Sequence, residues 1–344
     1  MTSGNNETHV HVLWLRPTKP DNISVGRERI AEHLRKSGYR VDIQDASGFD
    51  ALRAILTAAA GSYDVIVGTV RMGLYVGVLL SWITARPFVA DVTDPIEQVS
   101  HLPSPLFQLL FRFEHLSLEK ADEAMFVYNS SYQSAKRCGI NGEKVENAVN
   151  YKEFNKPDPT IVETAASELS EAGLDDRPIA VYIGGLTPVY NIESILETAR
   201  QLKTVQFLFI GDGKLNEMVT EAAATTENVY YLGTYDHELI PGFLAVADVG
   251  LCLVDAEQPL KVLEYGAAGL PAIAVPGELQ ERFTDEELVF VDPDEELLDA
   301  IVDLLEEPEL ARHYGNNLNH RAEDTSWSHV AAQYKHAIDR AIHD

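Results

Sequence analysis

Four glycine-bearing stretches follow one another along the second half of the chain. They are Tyr182-Ile-Gly-Gly-Leu-Thr-Pro188, Phe209-Ile-Gly-Asp-Gly213, Leu232-Gly-Thr-Tyr-Asp236 and Pro259-Leu-Lys-Val-Leu-Glu-Tyr-Gly-Ala-Ala-Gly-Leu-Pro271. The first three each follow a short apolar run, as turns leaving buried strands do. Glycine lets a backbone come close to a phosphate, and a helix N-terminus after the turn favours an anion. Any one of these stretches reads as an ordinary turn. Their succession within one half points to a phosphate-bearing ligand. Other chemistries lack their signatures: there is no Gly-x-Ser-x-Gly elbow, no Walker loop and no histidine pair at zinc spacing. Asp292-Pro-Asp294 looks like a metal-binding acidic pair, but it lies at a strand-to-helix turn, where Asp294 is expected to act as an N-cap.

Such turns need strands that end at them. In the first half, strands are expected at 10–15, 39–44, 63–70, 87–92, 124–128 and 144–149. Helices are expected at 26–37, 49–60, 73–84, 105–120 and 130–138. The second half starts a new series, with strands at 179–183, 206–210, 229–232, 249–253, 272–275 and 289–291 and helices between them. Alternation of this kind makes a parallel sheet covered on both faces. Residues 150–177 interrupt it with two prolines and an acidic helical stretch, so the domain boundary is placed there. The expected fold class is α/β, with two doubly wound, Rossmann-like sheets facing a cleft at the carboxyl ends of their strands. The N-terminal domain would cover 1–155 and the C-terminal domain 156–324. A final helix over 325–344, with Trp327, Val330 and Tyr334 at helical spacing, would pack back towards the first domain.

Composition bounds the function. The chain has 344 residues, 45% hydrophobic and 24% charged, which suits two globular cores. Its 54 acidic and 27 basic residues leave a net charge of −27. That argues against general binding to nucleic acid or to an anionic membrane through charge. The acids are spread along the chain, as suits a cytoplasm at very high salt where screening weakens self-repulsion. A haloarchaeal source is expected. Cys138 and Cys252 have neither metal spacing nor a disulfide framework. The N-terminus lacks the basic and apolar regions of a secretory signal, and the longest apolar stretch, 73–85, falls short of the roughly 20 residues of a spanning helix. A cytoplasmic location is expected, with a peripheral position on the inner face of the membrane as its variant.

The second half resembles the donor-binding domain of the family-4, or group 1, glycosyltransferases of the GT-B fold. Residues 259–271 are similar to that family's helix-and-turn signature almost residue for residue. The resemblance covers about 144–335 well. It extends more loosely into the first half through Asp91-Val-Thr-Asp-Pro95, Phe113-Glu-His115, Ala121-Asp122 and Asn129-Ser-Ser131. Asn147-Ala-Val-Asn-Tyr-Lys-Glu-Phe154 resembles the family's hinge segment.

The resemblance implies a hexosyltransferase-type enzyme that moves a sugar from a nucleotide-diphosphate donor to a glycan or lipid-linked glycan. It implies retention of configuration without an obvious enzyme nucleophile, and no metal or other cofactor is expected. Glu264 matches the glutamate that holds the donor ribose. Lys261, one turn earlier on the same helical face, would meet the diphosphate, and these two are the candidate catalytic residues. Gly184 and Gly185 would lie beside the diphosphate, Gly211, Asp212 and Gly213 on the nucleotide side, and Tyr235 at the base. The chain departs from the family at three places. Where the family often carries an arginine and then a lysine, this sequence has Gly185 and Tyr190. Glu257 stands one residue too close to Glu264 for the usual glutamate pair. Arg16, Lys19 and Arg71 follow first-half strands and could bring charge to the cleft instead.

Candidate acceptor-binding residues are Asp94, His101, Arg16 and Lys19, with His115 more suited to packing on its helix. The apolar stretch 105–118 could be core, or it could rest the protein on a bilayer that carries a lipid-linked acceptor. Two rival readings remain open. The missing cations at Gly185 and Tyr190 fit a degenerate, non-catalytic subunit, and the fold would also accommodate a sugar-nucleotide epimerase.

Overall fold

The computed structural model describes residues 10–17, 22–46, 61–94 and 102–343. Two compact units emerge, Met1–Asn147 with Trp327–Asp344, and Ala148–Ser326. The first boundary therefore falls before Ala148 and not after residue 155. Two apolar anchors explain the difference. Val149 bridges to Ser326 in parallel register, and Phe154 is fully buried in the core of the second unit. At the other end the chain leaves that unit after Ser326 and not after residue 324.

The first unit carries strands β1 (His11–Arg16), β2 (Arg40–Asp45), β3 (Val65–Thr69), β4 (Phe88–Val92), β5 (Glu123–Phe126) and β6 (Glu143–Lys144). They form a six-stranded sheet in the order β2-β1-β3-β4-β5-β6, parallel throughout. β3 and β4 are buried along their whole length, as expected of strands covered on both faces. Helices α1 (Asn22–Lys36), α2 (Val70–Thr84) and α3 (Ser104–Glu119) belong to this unit. The helix expected at 49–60 lies outside the described residues.

The C-terminal helix, Trp327–His343, is built into the first unit by a buried polar network. Arg27 on α1 grips Asp91 at the end of β4 with two hydrogen bonds of 2.7 Å. Its Nη2 also donates to Tyr334 Oη at 2.9 Å, and Tyr334 in turn donates to Asp91 at 2.5 Å. Thr69 donates to the other Asp91 oxygen at 2.6 Å, and Trp14 Nε1 donates to Thr69 at 2.7 Å. Burial works against the Arg27 charge, but Asp91 outweighs it and the guanidinium pKa is raised. A buried charge persists only when paired in this way. Asp91 is thus a fold residue, although it sits in one of the stretches that carried the family resemblance.

The second unit contains β7 (Ile179–Ile183), β8 (Gln206–Ile210), β9 (Val229–Tyr231), β10 (Val249–Cys252), β11 (Ala272–Ala274) and β12 (Val289–Phe290). Its order, β12-β11-β10-β7-β8-β9, reverses direction between β7 and β10. All described pairings are parallel. Alternate side chains separate onto the two faces, as the period of a strand requires. Val181, Ile183, Leu208 and Ile210 pack into one core layer, while Ala180, Tyr182, Phe207 and Phe209 pack into the other. The N-cap expected at Asp294 is not formed. The helix Leu297–Glu306 begins later, behind Glu296, and Asp294 accepts a hydrogen bond from Ser194 Oγ at 2.6 Å.

Candidate functional site

In an open parallel sheet, the place where strand order reverses leaves a crevice beyond the carboxyl ends. In the second unit that place lies between β7 and β10. The chain leaves β7 through Gly184, at φ 134°, and leaves β8 through Gly211, at φ 148°. A Cβ on Gly211 would lie 1.8 Å from the Gly184 carbonyl oxygen. The two turns are nested backbone on backbone, and only glycine fits. Gly184 N donates to Ile210 O at 2.9 Å, Gly211 N to Gly233 O at 2.6 Å, and Leu186 N to Asp212 O at 2.9 Å. These bonds link the first three glycine stretches into one ledge. Asp212 is exposed and accepts from Asn216 Nδ2, while Gly213 N donates to Asn216 Oδ1 at 2.7 Å.

The fourth stretch supplies the helix Leu260–Ala267, which follows β10. Lys261 stands in its first turn and is 8% exposed. A Cβ on Gly184 would lie 2.9 Å from Lys261 Nζ, so the ammonium sits directly over the Gly184 turn. Two rings flank it, with Nζ 4.1 Å from the Tyr182 centroid and 3.8 Å from the Tyr190 centroid. Cation–π attraction of this kind stabilises a charge but satisfies none of its three donors. Nζ has no hydrogen-bond partner among the described residues. Burial pushes the ammonium down to about 8, with Cys252 and Glu264 opposing the shift. The first-turn amides of the same helix also lack partners within the helix. Lysine and amides together form a site suited to an anion.

Glu264 lies one turn further on, with its side chain 14% exposed. Its Oε1 is 2.8 Å from Nε2 of His237, a residue 66% exposed at the side chain whose ring packs edge-on against Phe154. Sequence reasoning missed His237. The signal available was its position, directly after Asp236 at the end of the third stretch. It also missed the rings of Tyr182 and Tyr190 as the surroundings of the Lys261 ammonium.

The other expected residues fall as follows. Gly185 has room for a side chain, since its Cβ would come no closer than 3.8 Å to Tyr190. Tyr235 donates to Glu168 Oε2 at 2.7 Å and packs against Phe243. Burial and that carboxylate push its hydroxyl up to about 12. Glu257 is buried, and its carbonyl accepts from Arg282 Nη1 at 2.9 Å. In the first unit, Arg16 pairs with Glu28 at 3.3 Å and Asp45 at 3.5 Å. Arg71 Nε lies 3.6 Å from Glu114 Oε2, and His115 Nδ1 lies 3.8 Å from Glu119 on its own helix. Asp94 is half-buried at the end of the segment after β4 and supports the Arg27 charge. Lys19 and His101 lie outside the described residues. Among the described residues, no group of three or more His, Cys, Asp or Glu could hold a metal ion.

Residues 177–307 match the family model of the group 1 glycosyl transferases. The matched segment holds Gly184, the nested turns, Lys261 and Glu264. A curated relative, the α-D-kanosaminyltransferase of Streptomyces kanamyceticus, is 25% identical over 258 residues, covering 70% of this chain and 66% of that one. The chain spans less than two thirds of the length of the curated relatives it matches. Among solved structures, Anabaena HepE in complex with UDP and glucose superposes with a TM-score of 0.73 at 17% identity, over 96% of this chain and 100% of that one. Sucrose-phosphate synthase from Thermosynechococcus elongatus gives 0.74 at 18% identity, over 95% and 98%. These likenesses show the fold, which is GT-B.

Proposed function

We propose that this chain is a glycosyltransferase that moves a sugar from a nucleoside-diphosphate donor to a glycan or lipid-linked glycan, with retention and without a metal. One observation carries the reading. Lys261 presents a buried ammonium without a hydrogen-bond acceptor among the described residues, directly over a glycine turn at the crevice of a nucleotide-type sheet. A diphosphate oxygen would satisfy it. When the bond between sugar and diphosphate breaks, negative charge grows on the leaving phosphate. A fixed ammonium and fixed amides stabilise that charge without reorganising. In this reading they do the work for which other sites use a metal. Glu264, oriented by His237, accepts hydrogen bonds from the two ribose hydroxyls. The match over 177–307 supports the activity, and the UDP and glucose held by HepE support the donor class.

A second reading has its own observation. Gly185 and Tyr190 replace two family cations, which fits a non-catalytic subunit that binds a nucleotide without turnover. Incubation of the full chain with a panel of nucleotide sugars and glycan acceptors separates the readings. Acceptor-dependent release of a nucleoside diphosphate supports transfer. Binding without release supports the subunit. Conversion of the nucleotide sugar without acceptor would indicate an epimerase and overturn both.

A further inference from the structure

The first unit displays an apolar face that the donor chemistry does not use. On α2, Met72, Tyr75, Leu79 and Trp82 recur at intervals of three, four and three residues. On α3, Leu106, Leu109, Phe113 and Leu116 do the same. Residues at this spacing form one stripe along a helix. Except for the half-buried Tyr75, all are exposed, and Trp82 is 84% exposed. The helices are tied together by Tyr75, which donates to Leu110 O at 3.1 Å and sets its ring 6.0 Å from that of Phe113. Between the stripes runs a groove of about 370 Å³ lined by Tyr75, Val78, Leu79, Trp82, Phe113 and Leu116. Contiguous apolar faces of this extent mark interaction surfaces.

Charge around the face identifies the occupant. In a chain of net charge −27, residues 70–90 contain Arg71 and Arg86 and no acid. Arg86, Arg112 and Lys120 are exposed around the stripes. Of the two acids on α3, Glu114 is buried facing Arg71, and Glu119, at the end of the helix, is an exposed acid set against the three exposed cations. A second copy would meet this face with itself, since a two-fold interface pairs the same patch on both subunits. It would bring cations against cations. A bilayer surface instead offers phosphates to the rim and acyl chains to the stripes. Trp82 has the amphipathic ring that favours the headgroup boundary. No helix among the described residues is long and apolar enough to cross a membrane, so the contact would lie on the surface.

We infer that the α2–α3 face docks on an anionic phospholipid bilayer. Leu79, Trp82, Leu109, Phe113 and Leu116 enter the boundary between headgroups and acyl chains, and Arg86, Arg112 and Lys120 meet lipid phosphates. The contact needs neither donor nor acceptor, so its test stands or falls separately from the proposed activity. The full chain is sedimented with phosphatidylglycerol vesicles and with phosphatidylcholine vesicles, in salt that keeps it folded. Wild type should pellet with the phosphatidylglycerol vesicles. Leu79→Ser combined with Phe113→Ser should lower the partition coefficient at least tenfold while its circular dichroism melt stays that of wild type. Brominated acyl chains should quench wild-type tryptophan fluorescence and fail to quench Trp82→Phe. The inference is overturned if wild type stays in the supernatant with both vesicles, or if the double variant pellets like wild type. It is also overturned if wild type is a dimer in solution that the double variant dissociates, which would make a second copy the occupant.

Discussion

Replacing Lys261 by Met removes the ammonium and keeps an unbranched apolar stem of similar length. If the ammonium holds a diphosphate oxygen, the loss is one charge-assisted hydrogen bond, about 1.5–3 kcal/mol. At about 1.4 kcal/mol per tenfold, nucleoside-diphosphate affinity should fall about ten- to over a hundredfold. Stability should respond in the opposite way. Burial holds the folded ammonium at about 8 against 10.5 for an ordinary lysine. The unfolded chain therefore binds the extra proton between those values, and stability gained from this group rises with pH across that window. Below pH 8 the buried charge is a handicap of about 3 kcal/mol, by about 1.4 kcal/mol for each pKa unit. The two ring contacts offset about 1–2 kcal/mol of it. Lys261→Met should thus be at least as stable as wild type at pH 7, and the difference should narrow in favour of wild type from pH 8 to pH 10.5. Calorimetric titration with nucleoside diphosphates and thermal melts across pH check both halves. Unchanged affinity would refute the role of Lys261. A variant that melts well below wild type would show that the ammonium supports the fold, and the reasoning from its unsatisfied donors would fail.

Glu264→Gln should weaken nucleotide binding by a similar factor. His237→Ala should weaken it less, by about threefold to tenfold, because it frees the carboxylate without removing it; titration of both variants measures the order. Gly211→Ala should destabilise the second unit by at least about 2–3 kcal/mol, since its Cβ would meet the Gly184 carbonyl and the residue sits at positive φ; a urea melt with unchanged midpoint would contradict the nested turns. The excess of acids should make the melting temperature rise from low to multimolar potassium chloride, and a flat or falling curve would remove the high-salt reading.

The sequence made the alternation of strands and helices legible, because apolar runs ending in glycine mark buried parallel strands locally. The ledge was legible too, since Gly184, Gly211 and Gly213 sit where their strands stop. What stayed hidden depends on residues far apart in the chain. The Tyr182 and Tyr190 rings around Lys261 bring together side chains about 70–80 positions apart, and aromatic residues near glycine carry no local mark of that arrangement. The pairing of His237 with Glu264 joins a turn to a helix across the sheet. Arg27, Asp91 and Tyr334 span most of the chain. Read locally, Asp91 lies in a stretch that loosely resembles a family landmark; in three dimensions its carboxylate anchors the last helix. The Asp294 cap is absent for a related reason: its side chain accepts from Ser194 on another helix, and Asp292 holds the turn by accepting from Asp294 N.

The central claim is that a donor diphosphate meets Lys261. A crystal structure of the wild-type chain with a nucleoside diphosphate tests it most directly. The account predicts a phosphate oxygen within about 3 Å of Lys261 Nζ, hydrogen-bonding distance for a charged pair, beside the Gly184 turn, with the ribose hydroxyls on Glu264. A nucleotide bound elsewhere, with Nζ still touching only the rings of Tyr182 and Tyr190, would contradict it.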